Sequence, residues 1–374
     1  MNRLRYVVVN VLGIVLRFFP WPCQTGLVEL GRPGRDSPVF LTCNYRLTVA
    51  RVRRALRGTS AYLLVANSRG VNVWCAATGG LLTNHDVLSA LKTSGIEERV
   101  SHRRVILPQL AATGIEAAVV AKKAGWKVLW GPVYARDLPR FVEGGQTKSD
   151  DMRQVAFPWQ QRVEMAAAWA FPISVVTALV LALLWRQAFL PSIFVVWGLS
   201  LIVYLSFPLY GRWLDSGIRG SGTVLAGFTA LWAVVLGGYV GYQYLLGQGA
   251  WAEVLRWAVL TLVVLLVMGV DFLGSTPLYK SGLQEDRLLE VVLDGERCKG
   301  VGYCEDVCPR GCYEVDRRLH KATMPGAARC VKCGACIVQC PCDALHFEDP
   351  KGGSIPPDTI RRFKLNLMGK RVEQ

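Results

Sequence analysis

The sequence predicts three zones in series: an α/β domain with a parallel sheet, a transmembrane α-helical bundle of about four helices, and a small α+β domain built around cysteines. Three observations carry this. Short apolar runs alternate with helical patterns over residues 1–165, apolar stretches of bilayer length fill 166–279, and nine of the 12 cysteines fall between Cys298 and Cys342. With 374 residues, 52% of them hydrophobic and 19% charged, and a mean hydropathy of +0.28, the chain is too apolar for an ordinary soluble enzyme of its length. Composition sets the boundaries at 1–165, 166–279 and 280–350, with a basic tail over 351–374.

The net charge of +15 is unevenly spread: residues 1–165 hold 23 basic and 11 acidic groups, 166–279 hold 4 and 3, and 280–374 hold 16 and 14. A basic excess beside an apolar block suits an anionic membrane face or an anionic ligand. No RNA- or DNA-binding motif accompanies it, so nucleic acid is not an expected partner.

Within the first zone, Val7–Leu16 is apolar but brief, lacks a small-residue cleavage site and runs into Arg17 and Phe18-Phe19-Pro20. It reads as a short surface-lying or buried segment, not a signal peptide. Val39–Thr42, Ala61–Ala66, Val105–Leu107 and Lys127–Trp130 read as buried strands, separated by helical stretches near 46–57, 84–93 and 113–124. Thr83, three residues before Asp86, marks a helix start. G-x-G-x-x-G after a strand and G-x-x-x-x-G-K-[ST] are both absent, which argues against a plain NAD or ATP site. The run Asn72-Val73-Trp74-Cys75-Ala76-Ala77 follows a strand and the turn Ser68-Arg69-Gly70, and it precedes Gly79-Gly80 and a helix. Strand-to-helix turns are where α/β folds bind ligands. On composition alone, Cys75 reads as a core cysteine and Trp74 as a core aromatic.

The middle zone offers four stretches, 167–185, 188–210, 221–246 and 254–274, against the roughly 20 residues a helical crossing needs. Charges gather at the breaks (Arg186; Arg212, Asp215 and Arg219; Glu253 and Arg256), and Trp185, Tyr210, Trp213 and Trp251 sit at the edges as interfacial aromatics do. An even number of crossings returns both ends to one side, and Arg153 with Arg162 favours the cytoplasmic side of a cell inner membrane. Asp271 near one end is the lone carboxylate within a span, so a transport pathway has little support.

In the last zone, Cys330-x2-Cys333-x2-Cys336-x3-Cys340-Pro341 is the full bacterial ferredoxin run, in which three thiolates hold one cluster and the fourth reaches the other. A shift of 32 residues lays Cys298, Cys304, Cys308 and Pro309 on Cys330, Cys336, Cys340 and Pro341, an internal duplication of the type of a 2[4Fe–4S]-like ferredoxin domain. Val301 falls where Cys333 should be. Cys308, Cys330, Cys333 and Cys336 are then the ligands of a [4Fe–4S] cluster. Cys298, Cys304 and Cys340 surround a second, either [3Fe–4S] or a [4Fe–4S] completed by Cys312 or Cys342; each of those two reads equally as a small buried hydrophobe. A zinc knuckle shares the CxxC pairs but neither the Cys-Pro nor the duplication. Iron–sulfur ligation needs a reducing compartment, which again points to the cytoplasm.

Pro38–Tyr45, Asn72–Ala77, His102-Arg103, Leu107–Leu110 and Gly131–Ala135, spread over residues 20–165, carry a resemblance. They resemble the corrinoid-binding domain shared by the large (gamma) subunit of the corrinoid iron–sulfur protein of acetyl-CoA synthesis and by the mercury-methylating corrinoid protein. The second family is similar further on, since it continues from a segment like Asp151–Phe157 into membrane helices, and its two-cluster ferredoxin partner resembles residues 283–349. The resemblance implies a Rossmann-like domain holding a cobalamin-type corrinoid, with Cys75 as catalytic residue and lower axial cobalt ligand and with Asn72, Val73, Trp74, Cys75, Ala76, Thr42 and Asn44 around the cofactor. None of the four histidines lies in the His-ligating motif D-x-H-x-x-G, and a thiolate is a soft, strongly donating ligand.

The implied activity is that of a membrane-anchored, corrinoid- and iron–sulfur-dependent methyltransferase that passes methyl groups to a soft acceptor such as Hg(II). A methylated folate or pterin protein system would be the methyl donor, and a low-potential electron donor would feed the clusters. The alternatives are a corrinoid methyl carrier in one-carbon metabolism (the acetyl-CoA pathway) and a membrane-bound electron-transfer ferredoxin. The sequence departs from the mercury-methylating pattern in three ways. Thr78-Gly79-Gly80 stands where that family has Gly-Lys, residues 361–374 contain no cysteine, and four spans are counted where it has five.

Overall fold

A five-stranded sheet organises the first zone: β1 (Gly26–Leu30), β2 (Val39–Cys43), β3 (Ala61–Ala66), β4 (Arg104–Pro108) and β5 (Lys127–Gly131), in the order β1-β3-β2-β4-β5. The computed structural model describes residues 3–214, 218–247, 251–271, 288–365 and 371–373. Strands β2 to β5 run parallel, and β2 and β3 are buried at every residue, which is why they appear in the sequence as unbroken apolar runs. Strand β1, not expected from the sequence, pairs antiparallel with β3 at the edge, half-buried and carrying Glu29 on its open face.

From β2 the chain passes through α2 (Arg46–Ala55) to β3, then through α3 (Val73–Thr78) and α4 (Asn84–Thr93) back past β2 to β4, and through the helix Ala117–Ala124 to β5. The direction of winding therefore reverses between β2 and β4. At such a reversal the loops beyond the carboxyl ends part and leave a crevice. At the start of α4 the Asp86 carboxylate accepts the Thr83 backbone N–H and hydroxyl, both at 2.8 Å. The N-terminal helix α1 (Arg3–Val15) lies on α2 through Val9 and Gly13, and the Tyr45 hydroxyl donates to the Gly13 carbonyl at 2.9 Å. Its other face leaves Leu4, Val7, Val8, Val11 and Leu12 exposed.

Buried Asn44 closes the carboxyl end of β2 onto the loop after β3. Its Oδ1 accepts from Ser68 N (2.9 Å), Ser68 Oγ (3.0 Å) and Gly70 N (2.9 Å). Gly70 sits at φ +74° against Pro22, where a Cβ would fall 2.5 Å from the proline nitrogen. Asn44→Ala strands two buried N–H groups and is expected to cost about 3 kcal/mol. A lowered melting temperature of the detergent-solubilised protein checks this, and an unchanged one would contradict the clamp.

By contacts the chain divides into two units: Met1–Gly13, Phe19–Ala156 and Gly274–Gln374 in one, Ile14–Phe18 and Phe157–Leu273 in the other. Within the second, three helices among the described residues are long and apolar enough to cross a membrane: Trp159–Leu184, Arg186–Leu205 and Trp251–Met268. The first begins before the expected 167. The expected span at 221–246 is a continuous helix, Ile218–Leu245, and it is not among those three. Ser200 Oγ donates to the Ala166 carbonyl (2.8 Å), and Trp232 Nε1 to Thr261 Oγ1 (2.9 Å), tying neighbouring helices.

The cysteine-rich part belongs to the first unit. The strand Glu290–Leu293 pairs with Leu345–Glu348, which pairs in turn with Ser354–Ile355. A hairpin, Glu314–Asp316 with Lys321–Thr323, and two short helices, Tyr303–Val307 and Ala335–Gln339, complete it. The helices obey the 32-residue shift, and so does the backbone: Gly300 and Lys332, Gly302 and Gly334, and Gly311 and Asp343 all have positive φ. The segment expected as a basic tail, 351–374, is instead folded in its described part, with a helix Pro357–Arg362 and a strand Phe363–Leu365 paired with Arg371–Glu373. The apolar side chain of Ile360, which enters the core beside Phe347, explains the difference.

Candidate functional site

Cys75 sits in the first turn of α3, beyond the carboxyl end of β3. Asn72 caps that helix, its Oδ1 accepting the Cys75 N–H at 3.1 Å. The helix is pinned from behind by Gly114, where a Cβ would lie 2.5 Å from the Ala77 carbonyl oxygen. Within this run the buried Val73 and Ala76 point into the core, and Trp74 and Cys75 are partly exposed. Of the residues expected around a cofactor, Val73 and Ala76 are thus packing residues, and Asn44 and Asn72 shape the backbone.

Thr42, also expected there, is buried on β2 with its hydroxyl unpartnered. Thr113 Oγ1 after β4 and Trp130 Nε1 on β5 are likewise buried without partners. All three lie toward the carboxyl edge of the parallel strands that also carries Cys75. Buried polar atoms left unpaired are costly, and a ligand with hydrogen-bonding groups is one thing that pairs them. A soft thiol and orphaned polar groups at a winding reversal fit a large polar cofactor bound through sulfur. Thr113 and Trp130 escaped sequence reading because nothing marks a buried group as unpaired until its neighbours are known.

The cysteines form two groups. Cys308, Cys330, Cys333 and Cys336 line one small, partly open pocket together with Cys312 and Tyr313. Cys298, Cys304 and Cys340 form the other: burial pushes the Cys304 thiol up to about 12, and proximity to Cys298 and Cys340 adds to the rise. Burial, then Cys333 and Cys330, likewise holds the Cys336 thiol well above its ordinary value. Crowded buried thiols ionise only beside a cation, so both donor sets fit soft metal centres. Among the described residues no His/Cys/Asp/Glu group has the geometry for a single metal ion.

The duplication is broken at Cys312 and Tyr313, whose counterparts are Ala344 and Leu345. The Cys312 N–H donates to Cys308 Sγ at 3.3 Å, as the Ala344 N–H does to Cys340 Sγ at 3.4 Å. In addition the Tyr313 hydroxyl donates to Cys336 Sγ at 3.2 Å. Cys312 lies at the four-cysteine cavity, so it does not replace the ligand missing at Val301. Comparing the two halves of the repeat would have exposed both residues. Hydrogen bonds to ligand sulfurs raise a cluster's reduction potential. If the four cysteines hold a cluster, Tyr313→Phe should lower its midpoint, with about a threefold to tenfold smaller reduced fraction at fixed potential. EPR-monitored redox titration reads this directly, and an unmoved midpoint would refute the role.

The two parts of this unit are joined by buried polar contacts around the turn Gln109–Thr113, which also packs on α3. Gln339 Nε2 donates to the carbonyls of Ala112 (2.8 Å) and Ile115 (2.6 Å), and its Oε1 accepts from Ala117 N (3.2 Å). Lys364 Nζ donates to the Thr113 carbonyl (3.1 Å). Lys148 Nζ reaches Gln109 Oε1 (2.9 Å) and pairs with Asp306 (3.0 Å); burial lowers its pKa to about 8 against the pull of that carboxylate. Val307, Ala335 and Cys333 pack against the core of the α/β sheet. The four-cysteine group is thus the one that faces the α/β domain.

The α/β domain has relatives. Residues 19–142 match the family described as CO dehydrogenase/acetyl-CoA synthase delta subunit. The acetyl-CoA decarbonylase/synthase complex subunit gamma of Archaeoglobus fulgidus is 38% identical over 126 residues, 33% of this chain and 26% of that protein. The same subunit of Methanothermobacter thermautotrophicus is 35% identical over 126 residues, 33% and 27% of the two chains. Subunit gamma 2 of Methanosarcina mazei is 34% identical over 128 residues, again 33% and 27%. The matched stretch spans about a quarter of these relatives' length, and the long apolar helices and the cysteine-rich part lie outside the family match. The N-terminal region of this chain is accordingly similar to the acetyl-CoA decarbonylase/synthase gamma subunits.

Proposed function

We propose that this protein is a membrane-bound corrinoid methyl carrier of one-carbon metabolism, a corrinoid-dependent methyltransferase whose ferredoxin-like domain maintains the cofactor's active redox state. The observation that carries the reading is Cys75, held by the Asn72 cap at the carboxyl edge of the sheet, within the stretch similar to gamma subunits of a methyl-handling complex. When bound, a cobalamin-type corrinoid supplies the cobalt that takes up and passes on a methyl group. Cys75 would ligate it as a soft donor, and Thr42, Thr113 and Trp130 would offer their unpaired groups to its periphery. A methylated folate or pterin system is the donor this reading calls for. Cobalt analysis and a visible spectrum of the purified protein test it: a corrin band with stoichiometric cobalt is expected. Its absence would leave only a membrane-bound electron-transfer ferredoxin.

A second reading, methylation of a soft acceptor such as Hg(II), is favoured by one observation: membrane-length helices follow the α/β domain directly, and a cysteine-rich domain follows them. Thr78-Gly79-Gly80 and the cysteine-free tail count against it. Assaying methyl transfer to Hg(II) beside transfer to a metal-centred acceptor separates the two.

For the cysteine-rich domain the reading assigns Cys308, Cys330, Cys333 and Cys336 to a [4Fe–4S] cluster, and Cys298, Cys304 and Cys340 to a [3Fe–4S] or [4Fe–4S] cluster. About seven irons per chain are expected, rising to about eight in Val301→Cys. Anaerobic iron analysis with EPR checks both numbers, and eight irons in the unsubstituted protein would require a ligand from outside the repeat. Because the α/β and cysteine-rich parts share one unit, the chain must cross the membrane an even number of times. The helix Ile218–Leu245 supplies the fourth crossing, and Arg153 with Arg162 sets both ends in the cytoplasm. Reporter fusions at the two ends should agree, and a periplasmic signal from one would overturn this topology.

A further inference from the structure

We propose that the surface over Cys298, Cys304 and Cys340 is the docking port of a small acidic electron-carrier protein, an inference that rests on these thiols holding a cluster. Large apolar side chains are scarce on the described surface of residues 20–156 and 288–365. Only Leu288, Val301, Tyr303 and Leu319 are exposed there; Val301 and Tyr303 lie between Cys298 and Cys304 and Leu319 at the hairpin tip, at 51%, 37% and 71% exposure. Two loops form the patch. The tip of the hairpin is anchored to the thiols, since the Ala322 N–H donates to Cys298 Sγ at 3.3 Å. The loop carrying Val301 lies directly on that tip: Gly300, at φ +61°, approaches so closely that a Cβ would fall 2.4 Å from the His320 carbonyl carbon.

The two loops carry exposed basic residues, Lys299, Arg317 and Arg318, and Lys321, whose Nζ donates to the Gly295 and Cys298 carbonyls. The nearby carboxylates include exposed Glu296 and Asp316 and partly buried Glu305. Asp316 accepts the backbone N–H groups of Arg318 (2.8 Å) and Leu319 (3.0 Å), and Glu305 is shared between Arg153 (3.6 Å) and Arg317 (3.7 Å). An apolar centre with a charged rim is the anatomy of a protein interface. Its small extent suits a transient electron-transfer partner, and its sign selects an acidic one.

The duplication gives the port a direction. Val301 and Cys333 are equivalent positions, but Cys333 packs against the α/β core while Val301 faces solvent. The missing ligand therefore lies at the outward corner, and the complete set lies at the inward one. With a cluster held by Cys298, Cys304 and Cys340, one electron would pass from the carrier, which would be oxidised, to that cluster, with no bond formed and no proton moved. The inner cluster then stands between it and the α/β domain.

Flavodoxin hydroquinone, an acidic one-electron donor, serves as the probe. Reduction of the full-length protein in detergent is followed by stopped-flow absorbance, with dithionite as a small-molecule control. The rate with flavodoxin should fall steeply with ionic strength, and Lys299→Glu with Arg318→Glu should slow it about tenfold or more at low salt while dithionite reduction is unchanged. Leu319→Ser, at an exposed position that tolerates polarity, should slow it independently of salt. Rates insensitive to both substitutions and to salt would overturn the port. So would charge reversal that only dissociates a dimer in sedimentation and leaves the flavodoxin rate intact, which would make the face a contact between copies. Failure of the underlying cluster assignment looks different, because the unsubstituted protein would then contain no iron and would show no bleaching with dithionite.

Discussion

Cys75→Ala is expected to reduce methyl transfer to background while the protein still folds and retains much of its corrinoid. The local structure makes the separation possible. α3 is fixed by the Asn72 cap, by Val73 and Ala76 in the core and by the close approach of Gly114 to Ala77, none of which involves the Cys75 sulfur. Removing one partly exposed sulfur should therefore cost about 1 kcal/mol or less. Donation to cobalt is another matter, because alanine has nothing to give and serine offers only a hard, weakly donating oxygen. Cys75→Ser, nearly isosteric, should consequently resemble alanine in methyl transfer and in its altered visible spectrum. A spectrum and a transfer rate unchanged in Cys75→Ala would end the axial-ligand assignment and return Cys75 to the status of a packing residue.

The central sheet was legible because parallel strands covered on both faces have no polar alternation to hide them, and β2 to β5 stand out from their flanks. β1 escaped because an edge strand only half covered, with Glu29 on its open face and prolines just before it, gives neither a run nor a clean alternation. The turn at Asn72 was legible as a position but not as a helix, since six residues between Asn72 and Gly79 are too few to show a period. At the thiols, the spacing alone proposes two groups of sulfurs, because a ligand repeat is a local code. What spacing cannot hold is the fit between domains. Gln339 looks like an ordinary polar residue at the end of a short helix, and its partners are backbone groups more than two hundred positions away. The backbone offers the same N–H and C=O at nearly every residue, so no side-chain pattern announces such a contact.

That contact carries the second large effect. Gln339→Glu is expected to loosen the cysteine-rich domain from the α/β domain, destabilising the unit by about 3 kcal/mol or more at neutral pH. The substitution keeps size and shape but replaces an N–H₂ group, which donates to the carbonyls of Ala112 and Ile115, with an oxygen that faces them. Buried against two acceptors, the introduced carboxyl resists ionisation, so its pKa in the folded protein lies above its unfolded value. The penalty is then complete above the raised pKa and shrinks as pH falls through it, where a protonated carboxyl again donates one hydrogen bond. Gln339→Leu, which cannot titrate, should lose stability without this pH dependence. Hydrogen exchange over residues 109–117 is the direct measurement: protection should fall in both variants and recover partly at low pH in Gln339→Glu alone. Because the turn Gln109–Thr113 lies between the four-cysteine group and α3, the function proposed above also calls for slower reduction of the corrinoid in both variants. If exchange over 109–117 were unchanged in both variants, the two domains would not depend on Gln339 for their union, and the four-cysteine group would not be held against the α/β domain by this contact.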